Sequence, residues 1–360
     1  AFAAKSSQKG AKMRTAPAPN IPAPPGMNPG AFVAGGGGDG GGKGGKGGKN
    51  GSGNENADGS DGDDDASGDG NDGGEGCGDP ICPITGRMFL DVLDFGISGP
   101  LPLRWIRSYS SRLSNLDGEL GHGWSHPFAW RIRAKRRKVT VIDDRMREQR
   151  FPLPAGAPVG NGSGMELARH NVGFQLTQRD GTRLDFQRVT DDGWFHLTSV
   201  RDSNGNSIEL ARSARGILES IRDSAGRFYR VSTDDHGRIL RIAVRIEPGG
   251  TFQDLVQYGY DAAGDLVTTR DPEGHVWSCH YERHLLTAHG VPTGLVYHYA
   301  YDGTTKDARC VESWGSYRDA PDPALDPALQ QAQTARGVKG INHVRLTFVP
   351  EDHYAEVEDS

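Results

Sequence analysis

From about residue 191 onward, apolar and polar positions alternate in short runs, and glycine-bearing turns interrupt the runs at near-regular intervals. The stretches RFYRVS, RILRIAVRI, LVQYGY and HVWSCHYE carry period-two apolar content, the pattern of strands with one buried face. Three windows align without gaps: LTSVRDSNG (197–205), LESIRDSAG (218–226) and LVTTRDPEG (266–274). Each reads Leu, three mixed residues, Arg, then Asp-x-x-Gly. Asp202, Asp223 and Asp271 open these turns, and Gly205, Gly226 and Gly274 close them. An aspartate at the first turn position can accept from the backbone two residues on, and glycine at the fourth supplies a backbone angle other residues resist. Gly205, Gly216, Gly226 and Gly237 fall ten or eleven residues apart, which leaves five to seven residues for each strand. The pattern predicts β-hairpins joined edge to edge into one long antiparallel sheet. A single hairpin cannot bury its apolar face, so the sheet must continue or curl onto something.

Upstream, the strand pattern holds with less regularity. In LPLRWIRSYSS (101–111), Leu103, Trp105, Arg107 and Tyr109 fall on one face and Arg104, Ile106 and Ser108 on the other. GHGWSHPFAW (121–130) brings Trp124, Phe128 and Trp130, and KVTVIDDRMREQRFPLP reads as strand, turn and strand around Asp143-Asp144. The exception is DPALDPALQQAQTARG, where helix formers predict a short helical insertion near 322–337.

Composition marks off the first 76 residues. Residues 11–34 are proline-rich and predict an extended tether. Between Gly35 and Gly76 about half the residues are glycine and nearly all the rest are Asp, Lys, Asn or Ser, too little apolar surface to offset the entropy of ordering. The expected organisation is a disordered Pro-rich then Gly/Asp-rich tether (1–76), an opening β domain (77–190), and repeats (191–360) with the helical insertion. Of the net charge of −6, residues 35–76 contribute about −7, roughly ten acids against three lysines, residues 1–34 about +4, and the rest about −3. The remainder is near balance, which gives no general case for nucleic acid or an anionic membrane as partner. The one basic run, RIRAKRRK (131–138), reads as the solvated face and turn of a strand pair. No apolar run reaches the ~18–20 residues of a membrane span, and the first residues lack the apolar core of a classical signal peptide.

Constellations that carry chemistry are weak. Cys279, His280, His284 and His289 do not share one strand face, so satisfied or exposed histidines are favoured over zinc. Cys77 and Cys82 have no second half of a metal site at suitable spacing. His122 and His126 flank Trp124 in what reads as a tight aromatic corner. Single aspartates beside arginines also argue against calcium in the turns. The expectation is no catalytic residue, no metal site and no cofactor.

Taken together, these residues resemble the YD repeats of Rhs proteins. In YDAAGDLVTTRDPEG, Tyr260-Asp261 stands as the name-giving pair, followed by Gly264, Leu266, Asp271 and Gly274. The earlier GDPICPITGRMF resembles the domain that opens the Rhs shell, through Gly78, Asp79, Pro80, Thr85 and Gly86; Leu101, Leu103, Arg104 and Tyr109 approximate its Pro-Leu-x-Leu-x-Arg-x-Tyr strand. GHGWSHPFAW, with Trp124, sits where that family has a Gly-x-Gly-Trp segment.

The resemblance implies an all-β fold whose hairpins form part of a curled antiparallel sheet, the wall of a hollow cage. It implies a structural role in a secreted toxin, enclosing a C-terminal effector and delivered between bacteria, often by type VI secretion. The expected partners are that toxin domain, spike proteins or a chaperone at the N-terminal region, and indirectly an immunity protein. Toxin and self-cleavage regions would be C-terminal, outside this chain, so the chain itself is expected not to be an enzyme. The alternative is a surface adhesion protein that binds carbohydrate. The last residues, HYAEVEDS, align with HLTSVRDS (196–203), so the sequence reads as stopping inside a repeat.

Overall fold

In the computed structural model, residues 80–170, 172–317, 331, 337–349 and 354–359 are described. The expected tether, Cys77, Gly78, Asp79 and all of the expected helix except Gln331 and Gly337 lie outside them. Apart from a 3-10 turn at Ser111–Leu113 and the helical Gln331, regular structure among the described residues is strand. This is the all-β class that the alternation predicts.

The opening segment makes a small sheet first. β1 (Phe89–Ile97) pairs with β2 (Leu103–Ser110), β3 (Asp117–Gly118) pairs with β4 (Gly121–His122), and β5 (Trp124–Ser125) adds to β2. Leu103, Trp105, Arg107 and Tyr109 of β2 are buried, while Arg104 on the opposite face is exposed. Period-two placement thus carries a charged side chain, Arg107, into the interior.

A larger sheet takes up the rest. β6 (Arg131–Lys135), β7 (Lys138–Ile142), β8 (Glu148–Pro152), β9 (Val159–Gly160), β10 (Glu166–His170), β11 (Gly173–Thr177), β12 (Arg183–Gln187) and β13 (Trp194–Arg201) follow in order. They close into a ring because β13 returns to β6, with Phe195 opposite Ile132. Across these strands Val139 faces Phe151, Leu167 faces Leu176, and Phe174 faces Phe186. All six are buried. Closure gives their apolar face a common interior and removes the free edges of these strands.

β13 is also where the sheet forks. Its first residues pair with β6, and its last three pair with β14 (Ser207–Arg212). From there β15 (Leu218–Asp223), β16 (Phe228–Thr233), β17 (Ile239–Arg245), β18 (Gln253–Tyr260), β19 (Leu266–Arg270) and β20 (Val276–Glu282) continue the sheet. β21 (Leu285–Gly290), β22 (Leu295–Tyr301), β23 (Cys310–Tyr317), β24 (Ile341–Val349) and β25 (Tyr354–Asp359) complete it. Each is antiparallel to the strand before it.

Several of the hairpin turns share one construction. At Asp223 the amides of Ala225 and Arg227 donate to Oδ1 (3.1 and 3.0 Å) and the Arg227 Nε donates to Oδ2 (2.7 Å), with Gly226 at φ 82°. Asp202 receives Asn204, Asn206 and the Asn206 side-chain amide in the same way, with Gly205 at φ 86°. The aspartate thereby satisfies turn amides that the ladder leaves free, and glycine takes the left-handed position. β7 and β8 use the same closure without glycine. Asp143 accepts from Arg145, Arg147 and the Arg147 side chain, and Met146 takes φ 61°.

Candidate functional site

The feature that the fold builds from distant residues is a polar seam between the opening segment and the repeat strands. Trp105 of β2 donates its indole N–H to the Tyr258 hydroxyl at 2.8 Å, and Tyr258 donates to Asp94 Oδ2 at 2.6 Å. Arg107 Nε donates to Asp94 Oδ1 at 2.8 Å, and its guanidinium lies 4.8 Å from the Trp124 ring centre. Both charged groups are withdrawn from water, with side chains 0% and 3% exposed. Such a pair holds together because each charge would otherwise be buried alone.

A second link runs parallel to the first. Trp124 donates to the Tyr281 hydroxyl at 2.8 Å, and Tyr281 donates to the Leu266 carbonyl at 2.8 Å. Tyr109 donates to the His284 carbonyl (3.0 Å) and accepts from the Leu286 amide (2.9 Å). Three aromatic residues of the opening segment are therefore read by strands β18 to β21. Tyr260 and Tyr301 make the corresponding repeat contacts, donating to the carbonyls of Ile239 and Leu286.

Glu119, in the β3–β4 turn, anchors the other end of the seam. Its Oε1 accepts from the Leu218 amide at 2.7 Å and from Arg212 at 3.3 Å; its Oε2 meets His126 Nε2 at 2.6 Å. Burial works against its charge, but Arg212, His126 and the Leu218 amide outweigh it and hold the carboxyl down to about 2. The Glu119 carbonyl accepts from the Ile239 amide at 2.7 Å. Nearby, Arg238 grips both oxygens of Asp117 (3.1 and 2.7 Å).

The residues singled out from sequence divide between turns and seam. Asp202, Asp223, Asp261 and Asp271 accept turn amides, and Gly205, Gly226, Gly264 and Gly274 have φ from 82° to 89°. Pro80 accepts from the Phe89 amide, and the Thr85 hydroxyl accepts from the Arg87 amide. The Gly86 carbonyl accepts from the Cys310 amide, and a Cβ at Gly86 would stand 2.4 Å from the Arg309 Cβ. Tyr109 and Trp124 lie in the seam; Arg104 does not. Asp94, Trp105, Glu119 and Tyr258 went unnoticed as functional residues. The signal that pointed nearest to them was an arginine on the apolar face of β2.

The cysteine and histidines of 279–289 do not converge. Cys279 and His289 are cross-strand partners and buried, His280 is exposed, and His284 stacks on His122 with ring centres 3.6 Å apart. Burial pushes the Cys279 thiol up, and burial with Arg107 pushes His289 down to about 3. A buried protonated thiol opposite a neutral imidazole is not poised for attack, because a nucleophile needs the thiolate. Among the described residues, Asp271, Glu273 and His275 bring potential ligand atoms within 4.8 Å of one another. Their contacts are those of a turn, with His275 Nδ1 2.8 Å from Asp271 Oδ2.

The seam joins two segments that comparisons with known families also recognise. Residues 78–151 match a domain of unknown function (DUF6531), and residues 234–276 match the RHS Repeat. Toxin protein Tse5 of Pseudomonas aeruginosa is 28% identical over 282 residues, covering 65% of this chain and 21% of that protein. Double-stranded DNA deaminase toxin A of Burkholderia cenocepacia is 29% identical, covering 66% and 17%. The chain thus spans about a fifth of the length of these relatives. Among solved structures, the TcdB2–TccC3 complex with Cdc42 aligns at TM-score 0.30 and 12% identity over 72% of this chain and 16% of that one. The RHS Repeat match and the toxin relatives support the resemblance to the Rhs/YD-repeat family of polymorphic toxins.

Proposed function

We propose that this chain is a wall-building part of a toxin shell, with an opening domain (77–190) keyed onto repeats that begin near 191. The seam carries the reading. Trp105, Tyr109 and Trp124 hydrogen-bond to strands more than 150 residues away in the chain. They fix the start of the protein on a sheet that grows by one hairpin at a time. A wall built this way holds a cargo by exclusion, since its backbone groups are paired and its edges covered. The cargo is a C-terminal effector encoded beyond residue 360. Delivery is to neighbouring bacteria by a type VI system, with the N-terminal region meeting a spike protein or chaperone.

The test uses the complete reading frame. Limited proteolysis of the purified full-length protein should leave the C-terminal segment intact, and Trp105→Ala with Trp124→Ala should expose it. Cleavage of that segment at the same rate in both proteins would overturn the shell. A reading frame that continues without further Asp-x-x-Gly units would do the same.

A further inference from the structure

The basic run RIRAKRRK forms the β6–β7 ribbon, and its surroundings give it a partner. Residues 133–138 are all exposed, and Arg133, Lys135, Arg136, Arg137 and Lys138 have no carboxylate within ion-pair distance among the described residues. Three features cost stability without returning any within the chain. Lys135 sits directly opposite Lys138, a like-charge cross-strand pair. Arg136 occupies the turn at φ 52°, a position that glycine fills with less strain. Five unpaired cations then crowd into six consecutive positions. At the base of the ribbon, Trp194 of β13 stands opposite Arg133, with the Arg131 and Arg133 guanidinium carbons 4.8 and 5.5 Å from its ring centre.

We propose that the β6–β7 ribbon, with Trp194, binds single-stranded nucleic acid. The aromatic ring beside the cations favours this partner over an acidic peptide. The ribbon holds its five cations within about 10 Å, at ~3.4 Å per residue on two strands. Each nucleotide brings both a phosphate for the cations and a base for the flat surfaces, whereas an acidic peptide engages the cations alone. The aromatic ring and stacked guanidinium groups provide flat surfaces for bases. A bilayer is disfavoured because the exposed large apolar side chains, Ile84, Leu116, Val172, Leu240 and Ile246, all lie off the ribbon. The reading of the run as strand, turn and strand stands; Trp194, sixty residues downstream, is what converts a solvated charge face into a binding surface.

The test is fluorescence anisotropy of the full 360-residue chain with a labelled oligothymidylate of about 20 nucleotides. Affinity should fall with salt, with a log–log slope of about −2 to −3.5 for three to five phosphate contacts. Lys135→Glu with Arg137→Glu should weaken binding at least tenfold, and Lys135→Gln with Arg137→Gln substitutes if the reversal does not fold. Trp194→Leu should weaken it about fivefold or more with the salt slope unchanged. Arg222→Glu with Arg230→Glu, a second exposed cationic site, should leave affinity within twofold. Equal affinity for polyglutamate, binding only to phosphatidylserine vesicles, no binding at micromolar protein, or an unchanged double variant would each overturn the proposal.

Discussion

Trp105 and Tyr258 are 153 positions apart in the chain and 2.8 Å apart in the fold, indole N–H to hydroxyl oxygen. The bond is the head of a relay, since Tyr258 passes its own proton donor to Asp94, which also holds Arg107. Trp105→Phe keeps most of the packing and strands the Tyr258 hydroxyl without its donor, a loss of about 1–2 kcal/mol. Arg107→Met leaves Asp94 buried without its counter-charge and should cost about 3–5 kcal/mol. The double change Asp94→Leu with Arg107→Met should recover much of that loss. Urea unfolding of the three variants checks the order; a double variant no better than Arg107→Met alone would refute the pairing.

The shared turn makes a graded prediction. Asp223 accepts from two amides, from Arg227 Nε and from the buried Tyr229 hydroxyl at 2.8 Å, and its side chain is 1% exposed. Asp202 makes the equivalent turn half-buried, with Asn206 as its partner and no buried hydroxyl. Asp223→Ala should cost about 2–4 kcal/mol through stranded donors, and Asp202→Ala distinctly less. Equal thermal shifts for the two would mean that the turn geometry, and not the buried hydroxyl, sets the cost.

What the sequence made legible was whatever is local. Period-two alternation located the repeat strands, and Asp-x-x-Gly located turns whose hydrogen bonds span four residues. The turn at Asp143 was legible from the alternation on either side of it, although Met146 holds the position that glycine fills in the repeats. Ring closure escaped because Phe195 and Ile132 meet across 63 positions with nothing local to mark the pairing. The seam escaped for the same reason. A tryptophan on an apolar face looks alike whether its N–H is satisfied by water, by a near neighbour, or by a tyrosine half the chain away. Only Arg107 was conspicuous, as a charge where the alternation calls for an apolar residue.

Gly121 shows how closely the opening segment approaches the repeats. It has φ 80°, and a Cβ there would stand 2.4 Å from the Gly264 carbonyl oxygen. At Gly205, φ is 86° and a Cβ would meet nothing within 4 Å. Gly205→Ala should therefore cost only the left-handed strain of about 1–2 kcal/mol. Gly121→Ala adds a backbone clash to that strain, so it should lower the melting temperature further. Proteolysis should report new cleavage near the β3–β4 turn in Gly121→Ala alone. Indistinguishable melting curves would show that the seam yields at this point.

Four groups with opposed signs contribute to the pH profile. Glu119 and Glu312 are each held down to about 2: burial acts against both charges, and Arg212, His126 and the Leu218 amide outweigh it at Glu119, as Lys339, His343 and Arg345 do at Glu312. Their folded values lie below the ordinary 4.5, so their stabilisation is complete above that pH and is lost as pH falls toward 2. His289, pushed down to about 3 by burial and Arg107, acts in the same direction, losing its contribution as pH falls from 6.5. Asp144 has the opposite sign. Burial and the neighbouring Asp143 raise it to about 6, so its contribution is complete below 3.8 and is lost as pH rises through 6. Asp144→Asn should therefore stabilise the chain at pH 7.5 by about 1–2 kcal/mol and give no gain at pH 3.5. His289→Met should flatten the loss of stability between pH 6.5 and 4, where the unmodified chain loses up to about 1.4 kcal/mol per unit at this site. Urea midpoints measured across pH 3.5–8 decide both. An Asp144→Asn gain that is the same at both ends would mean that folding leaves this carboxyl's titration unchanged, so that Arg145 and Arg147 offset the burial and the charge of Asp143.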